Sequence, residues 1–193
     1  MTIADVWRPA VAKTYTNILY NAVLVITASL VVALSAQIVI PLPFTPVPVT
    51  GQTLAVLLIG AVLGSARGVL AILTYLAEGA LGLPVFAGGK AGLAIIAGPT
   101  GGYLIGFVIA AFVTGYLAER RWDRNIVTSF LAMSIGNIII FALGLLILGS
   151  YVGFDKVLAL GFYPFLIGDV VKLALATLLM PLGWKALQKF GKI

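Results

Sequence analysis

Residues 14–66 read TYTNILYNAVLVITASLVVALSAQIVIPLPFTPVPVTGQTLAVLLIGAVLGSA, 53 residues between Lys13 and Arg67 without one charged side chain. A helix needs about 20 residues to cross the hydrocarbon of a bilayer. The run is therefore long enough for two spans. The break between them lies at Pro41-Leu-Pro-Phe-Thr-Pro-Val-Pro48, four prolines in eight residues. Each proline lacks an amide donor and biases its predecessor away from the helical region. This predicts a first helix over about 17–40, an extended or polyproline-like loop over 41–51, and a second helix from about 52 to 64–66.

The rest of the chain continues the pattern. Of its 193 residues 62% are hydrophobic and 9% charged, and its mean hydropathy is +1.16. A soluble domain of this size is about a quarter charged. Disorder and nucleic-acid binding are excluded, because both need far more charge. Further helices are predicted over about 68–80, 103–118, 126–148 and 158–182. The segment 82–102 is crowded with glycine and holds Pro84 and Pro99; with 149–157 it forms the remaining loops on the proline-loop side. The reading is an all-α polytopic membrane protein, one domain over 1–193 with six transmembrane helices. The first residues do not form a cleavable signal, since Asp5 interrupts the basic segment.

Lysine and arginine set the orientation. With both termini in the cytoplasm, the inner segments hold Arg8, Lys13, Arg67, Arg120, Arg121, Arg124, Lys185, Lys189 and Lys192, and the outer ones hold Lys90 and Lys156. The cluster Glu119-Arg-Arg-Trp-Asp-Arg124 anchors a cytoplasmic turn and is compatible with an intracellular partner.

The twelfth base, Lys172, falls inside the last helix, three residues after Asp169. That spacing places both on one face. A charge deep in a bilayer costs about 2.5–3.5 kcal/mol on insertion scales, so the pair should face the bundle interior. It is either a structural ion pair or a polar ligand site. Gln37 and Gln52 flank the proline loop and can serve a ligand or tie the loop down. Tyr75 faces a chamber or an interfacial belt, and Glu78 reaches the surface. Asn137 lies mid-helix, where an interhelical hydrogen bond is its default. Ser29, Ala33 and Ala36 make a small-residue stripe suited to close helix packing. There is no cysteine or histidine, which removes thiol and histidine catalysis and the usual zinc ligands. Gly98-Pro-Thr-Gly-Gly102 lacks the lysine and spacing of a nucleotide-binding loop. Neither catalytic residues nor a metal site are expected.

Three runs carry more than composition: Pro43-Phe-Thr-Pro-Val-Pro-Val-Thr-Gly-Gln-Thr-Leu54, Gly79-Ala-Leu-Gly-Leu-Pro-Val-Phe-Ala-Gly-Gly89 and Gly98-Pro-Thr-Gly-Gly-Tyr-Leu-Ile-Gly-Phe107. Together with Asp169-x-x-Lys172 they resemble the BioY family, the biotin-specific substrate-binding (S) components of energy-coupling-factor (ECF) transporters. The resemblance implies the six-helix S-component fold in a bacterial cytoplasmic membrane, with no catalytic cofactor and biotin as substrate. It implies a chamber involving Asp169, Lys172, Gln52, Tyr75, Phe86, Gly88 and Asn137, under a lid that includes Phe44, Thr45 and Val47. Asp169 would accept a ureido N–H, with Lys172 completing the polar network or meeting the carboxylate. Implied partners are a membrane T component (BioN-like) and two ATP-binding-cassette ATPases (BioM-like). Docking would go through the Ser29, Ala33 and Ala36 stripe, although such motifs are usually Ala-x-x-x-Ala. The alternatives are an S component for another vitamin, an autonomous ion-coupled transporter with Asp169 as a proton site, and a structural membrane protein.

Overall fold

In a computed structural model, residues 2–7 and 14–190 are described; Arg8, Lys13 and Lys192 of the charge count lie outside them. The elements are α1 (Ile3–Val6), α2 (Thr14–Gln37), β1 (Val39–Ile40), β2 (Val49–Thr50), α3 (Gln52–Leu63), α4 (Ser65–Ala80), α5 (Leu93–Ile96), α6 (Gly101–Glu119), α7 (Ile126–Val152), α8 (Val157–Gly161) and α9 (Leu166–Lys189). A 3-10 turn at Trp122–Arg124 links α6 to α7, and another at Tyr163–Phe165 links α8 to α9.

The middle of the bundle is α3. Eight of its twelve residues are buried, and it touches α2, α4, α6, α7 and α9. A helix apolar all round belongs in such a position. At 1.5 Å per residue it is about 18 Å long, well short of the roughly 30 Å hydrocarbon thickness. It stops at Gly64, not at 66, because Gly64 has φ +86°, a conformation that disfavours a side chain. Four helical segments are long and apolar enough to cross a membrane: Asn17–Gln37, α6, α7 and the α8–α9 unit. On α2 the residues Ile18, Leu19, Leu30 and Leu34 are at least half exposed, as a lipid-facing surface requires.

Several expected boundaries are corrected. The first helix ends at Gln37, because Val39 and Ile40 pair antiparallel with Thr50 and Val49. The proline segment is therefore the tip of a short hairpin. The loop 82–102 contains the single turn α5, and α6 begins at Gly101. The α7 helix reaches Val152, where Gly153 at φ +88° ends it. The last predicted helix is not continuous. Proline 164 falls in the 3-10 turn between α8 and α9, and Asp169 lies in the first turn of α9, where the helix dipole favours a carboxylate.

At the end remote from the hairpin, side chains cap the turns. Glu119 accepts from the Ser65 backbone N–H at 2.7 Å and from its hydroxyl at 2.9 Å. Arg67 pairs with Asp5. Trp184 Nε1 donates to the buried Asp123 carboxylate, and the Arg124 guanidinium lies 4.1 Å from the Trp184 ring centroid. Burial pushes the Asp123 carboxyl above its usual range, against the Trp184 hydrogen bond.

Candidate functional site

Near the hairpin the packing leaves a small chamber, a cavity of about 80 Å³. Its polar floor comes from α3 and α9. Lys172 Nζ donates to Asp169 Oδ1 at 2.8 Å and to Thr53 Oγ1 at 3.0 Å. Asp169 is 6% exposed, so the pair is removed from water. Breaking such a pair costs about 3–5 kcal/mol, since it strands the surviving charge. Gln52, also buried, lines the chamber and donates from Nε2 to Tyr75 Oη at 2.8 Å.

The walls are aromatic and aliphatic. Phe86, Tyr103, Phe107, Phe141 and Phe165 line them with Val47, Ile95 and Ile140. The Tyr103 hydroxyl donates to Gly161 O at 2.8 Å, tying α6 to α8. Phe86 meets Tyr75 edge-on, centroids 5.5 Å apart. Its position depends on Gly79, where a Cβ would lie 2.1 Å from Phe86 Cζ. Close approach of α6 to α7 has the same basis: a Cβ at Gly102 would lie 2.2 Å from Leu143 O.

Asp169, Lys172, Gln52, Phe86 and Val47 thus meet at one chamber. Tyr75 does not reach it; fully buried, it stands behind Gln52. Gly88 is a turn residue at φ +69°, between Phe86 and Lys90, whose backbones bridge. Asn137 borders an adjoining crevice with Leu145, Phe162 and Leu166, which shares Phe141 and Asp169 with the chamber. The reason is helical phase: Gly136 and Ile140 are buried, and Asn137 is rotated about 100° from Gly136.

Val47 is buried and lines the chamber. The Thr45 hydroxyl donates to Leu160 O at 2.7 Å, pinning the hairpin tip to α8. Phe44 is 57% exposed and forms no wall. Gln37 does tie a loop down: its Nε2 donates to Phe86 O at 3.3 Å.

The docking stripe is also corrected. Ser29, Ala33 and Ala36 are all buried within the chain. Ser29 Oγ lies 2.9 Å from Glu78 Oε1 on α4, so Glu78, half-buried, ties α4 to α2. Small residues allow close packing whatever helix is the partner, and here the partner for Ser29 is the chain's own α4.

Sequence reading missed Thr53, Thr100, Tyr103 and the phenylalanines of α6, α7 and the 3-10 turn. Thr53, Thr100, Tyr103 and Phe107 lie within the quoted runs. Phe141 and Phe165 carry no local signal, because any apolar helix has phenylalanines.

Apolar helices around a largely apolar chamber with an ion pair at its floor describe a membrane protein with a candidate site for a small amphiphilic solute. Comparison with known proteins places the chain more closely. The BioY family model matches residues 9–189, and the chain belongs to the BioY family. It is 44% identical to the biotin transporter BioY of Rhizobium etli, over 79% of this chain and 86% of that protein. It is 45% identical to the biotin transporter BioY of Thermotoga maritima, over 72% and 82% of the two chains. A crystal structure of the S-component for biotin from an ECF-type ABC transporter superposes with a TM-score of 0.76 at 25% identity, covering 90% of this chain and 95% of that one.

Proposed function

We propose that this protein captures biotin for uptake across a membrane, as the substrate-binding subunit of an ATP-driven transporter. The observation that carries the reading is the Asp169–Lys172–Thr53 cluster at the floor of an otherwise apolar chamber. Biotin has a bicyclic ureido–thiophane head and an anionic valerate tail. Apolar walls accept its ring sulfur and methylenes, and a few fixed polar groups orient the head. Asp169 keeps acceptor capacity after accepting the Lys172 hydrogen bond and takes a ureido N–H. Lys172 and Thr53 supply donors for the ureido oxygen, and Gln52 completes the polar side.

The hairpin and the glycine segment face the outside of a bacterial cytoplasmic membrane, with six helices embedded in it and both termini inside. The lysine and arginine distribution supports this orientation. A T component and its ATPases supply the energy.

Radiolabelled biotin binding in detergent tests the reading, with thiamine and riboflavin as competitors. Retention of biotin alone is the expected result, and Asp169→Asn should weaken it at least tenfold. Displacement by another vitamin, or no biotin bound, refutes it. Uptake into vesicles lacking any ATPase, abolished by an uncoupler, would replace the ATP-driven reading with an ion-coupled one.

A further inference from the structure

At the end of the bundle remote from the hairpin, the short turn between α6 and α7 carries Arg120, Arg121 and Arg124. The last turns of α9 carry Lys185 and Lys189, and all five side chains are exposed. The turn and α9 meet through Trp184, whose indole donates to Asp123. The carboxylates described at this end are all engaged. Glu119 accepts from Ser65, and Asp5 pairs with Arg67. Asp123 is buried, with Trp184 on one oxygen and the Arg124 charge nearby. Neither of the ion pairs found among the described residues involves the five cations.

Aromatic rings hold two of the guanidiniums in place. Arg120 Cζ lies 3.3 Å from the Tyr116 ring centroid, and its Nη1 donates to Tyr116 O at 3.3 Å. Arg124 Cζ lies 4.1 Å from the Trp184 centroid. A ring covers the flat face of a guanidinium and leaves in-plane N–H donors free for an oxyanion. Between the two, Arg121 is the one non-glycine described residue at positive φ, +70°, a backbone conformation that costs a side chain energy. Within two turns of these cations the same helices expose apolar side chains: Phe112 on α6, Ile126 and Phe130 on α7, and Leu182 on α9.

We propose that this surface binds the headgroup of an anionic phospholipid. Arg120, Arg121 and Arg124 hold the phosphate, Lys185 and Lys189 add positive field, and the acyl chains lie along the exposed apolar side chains. A soluble anion meets only the charges, whereas a lipid meets both features. Each basic side chain near a membrane surface is worth about fivefold in affinity for an acidic lipid. The inference does not depend on what the chamber binds.

The test measures, by native mass spectrometry, how the detergent-purified protein retains phosphatidylglycerol and phosphatidylcholine with identical acyl chains. Wild type should prefer phosphatidylglycerol by at least about twentyfold. Arg120→Gln with Arg124→Gln should remove most of that preference, and Arg121→Gln should lower it about fivefold. Lys90→Gln with Lys156→Gln makes the same charge change at the hairpin end and should leave it intact. Equal retention of the two lipids by wild type overturns the proposal, as does an unchanged preference in the arginine variants. An equal loss in the hairpin-end variant would reduce the effect to net charge and overturn it too. Displacement of the lipid by inorganic phosphate would give the surface to a soluble anion instead. Thermal unfolding checks the fold of each variant. Should the double arginine variant not fold, Arg121→Gln decides, because its side chain has no partner among the described residues.

Discussion

Asp169–Lys172 and Asp5–Arg67 are both carboxylate–cation pairs, one at each end of the bundle. In the first the carboxylate is buried at the chamber, its side chain 7% accessible against 16% for Lys172. The second is partly exposed, its side chains 18% and 31% accessible, and sits among capped turns. Burial of an ion pair costs solvation that the pair only partly regains, so one that lines a largely apolar chamber fits a ligand site. An exposed pair costs little and stabilises little; it fastens α1 to the start of α4. The two ends also differ in packing. At one end glycine and proline segments leave space, whereas the other is closed by Glu119, Asp123 and Trp184.

The sharpest way to break this contrast is Asp169→Ala. It should abolish biotin binding by at least a hundredfold and lower stability by about 3–5 kcal/mol, because Lys172 is left unpaired. Calorimetry and thermal unfolding read the two effects. If binding survived, the ion pair would be a staple like its counterpart.

Two glycine substitutions separate the ends next. A Cβ at Gly60 would lie 2.2 Å from Thr114 Oγ1 and 2.6 Å from Ala111 O. Gly60→Ala should therefore cost about 1–3 kcal/mol by overpacking and leave biotin affinity within twofold. Gly79→Ala pushes Phe86 from its place in the wall, and its main effect should be on biotin affinity, about tenfold. The reverse outcome in thermal shift and binding assays would mean that the wall is not formed by Phe86.

Smaller effects belong to the closed end. Trp184→Phe removes a hydrogen bond to a buried carboxylate and should cost about 1–3 kcal/mol, with unchanged binding. Arg67→Gln should cost less than about 1 kcal/mol. Burial acts to raise the Asp5 pKa, but the Thr2 N–H bond and Arg67 outweigh it and hold the carboxyl below its usual value. A lowered folded pKa means stability present above the unfolded value and lost as pH falls through the folded one. The gap between wild type and Arg67→Gln should accordingly close in acid. A gap that widened in acid would assign the stabilisation to another group.

Much was legible from residues alone. Uncharged runs of the length of a bilayer span, interrupted by proline and glycine, indicate apolar helices and their approximate placement, because hydrophobic burial and proline sterics act locally. The i,i+3 spacing put Asp169 and Lys172 on one face. What failed depended on contacts between elements. The β1–β2 pairing shortened α2. Helical phase turned Asn137 to a different crevice. Ser29, Ala33 and Ala36 met the chain's own helices, since a small-residue stripe does not specify its partner.

By itself the sequence determined a membrane-embedded helical chain with one intramembrane ion pair and two irregular segments, properties that composition and spacing encode directly. Only the tertiary structure decided that Thr53 joins that pair, that Phe44 turns outward while Val47 turns in, and that Asp169 opens α9 instead of lying in mid-helix. Those outcomes follow from how helices and loops meet across long stretches of chain, and no local periodicity records such meetings.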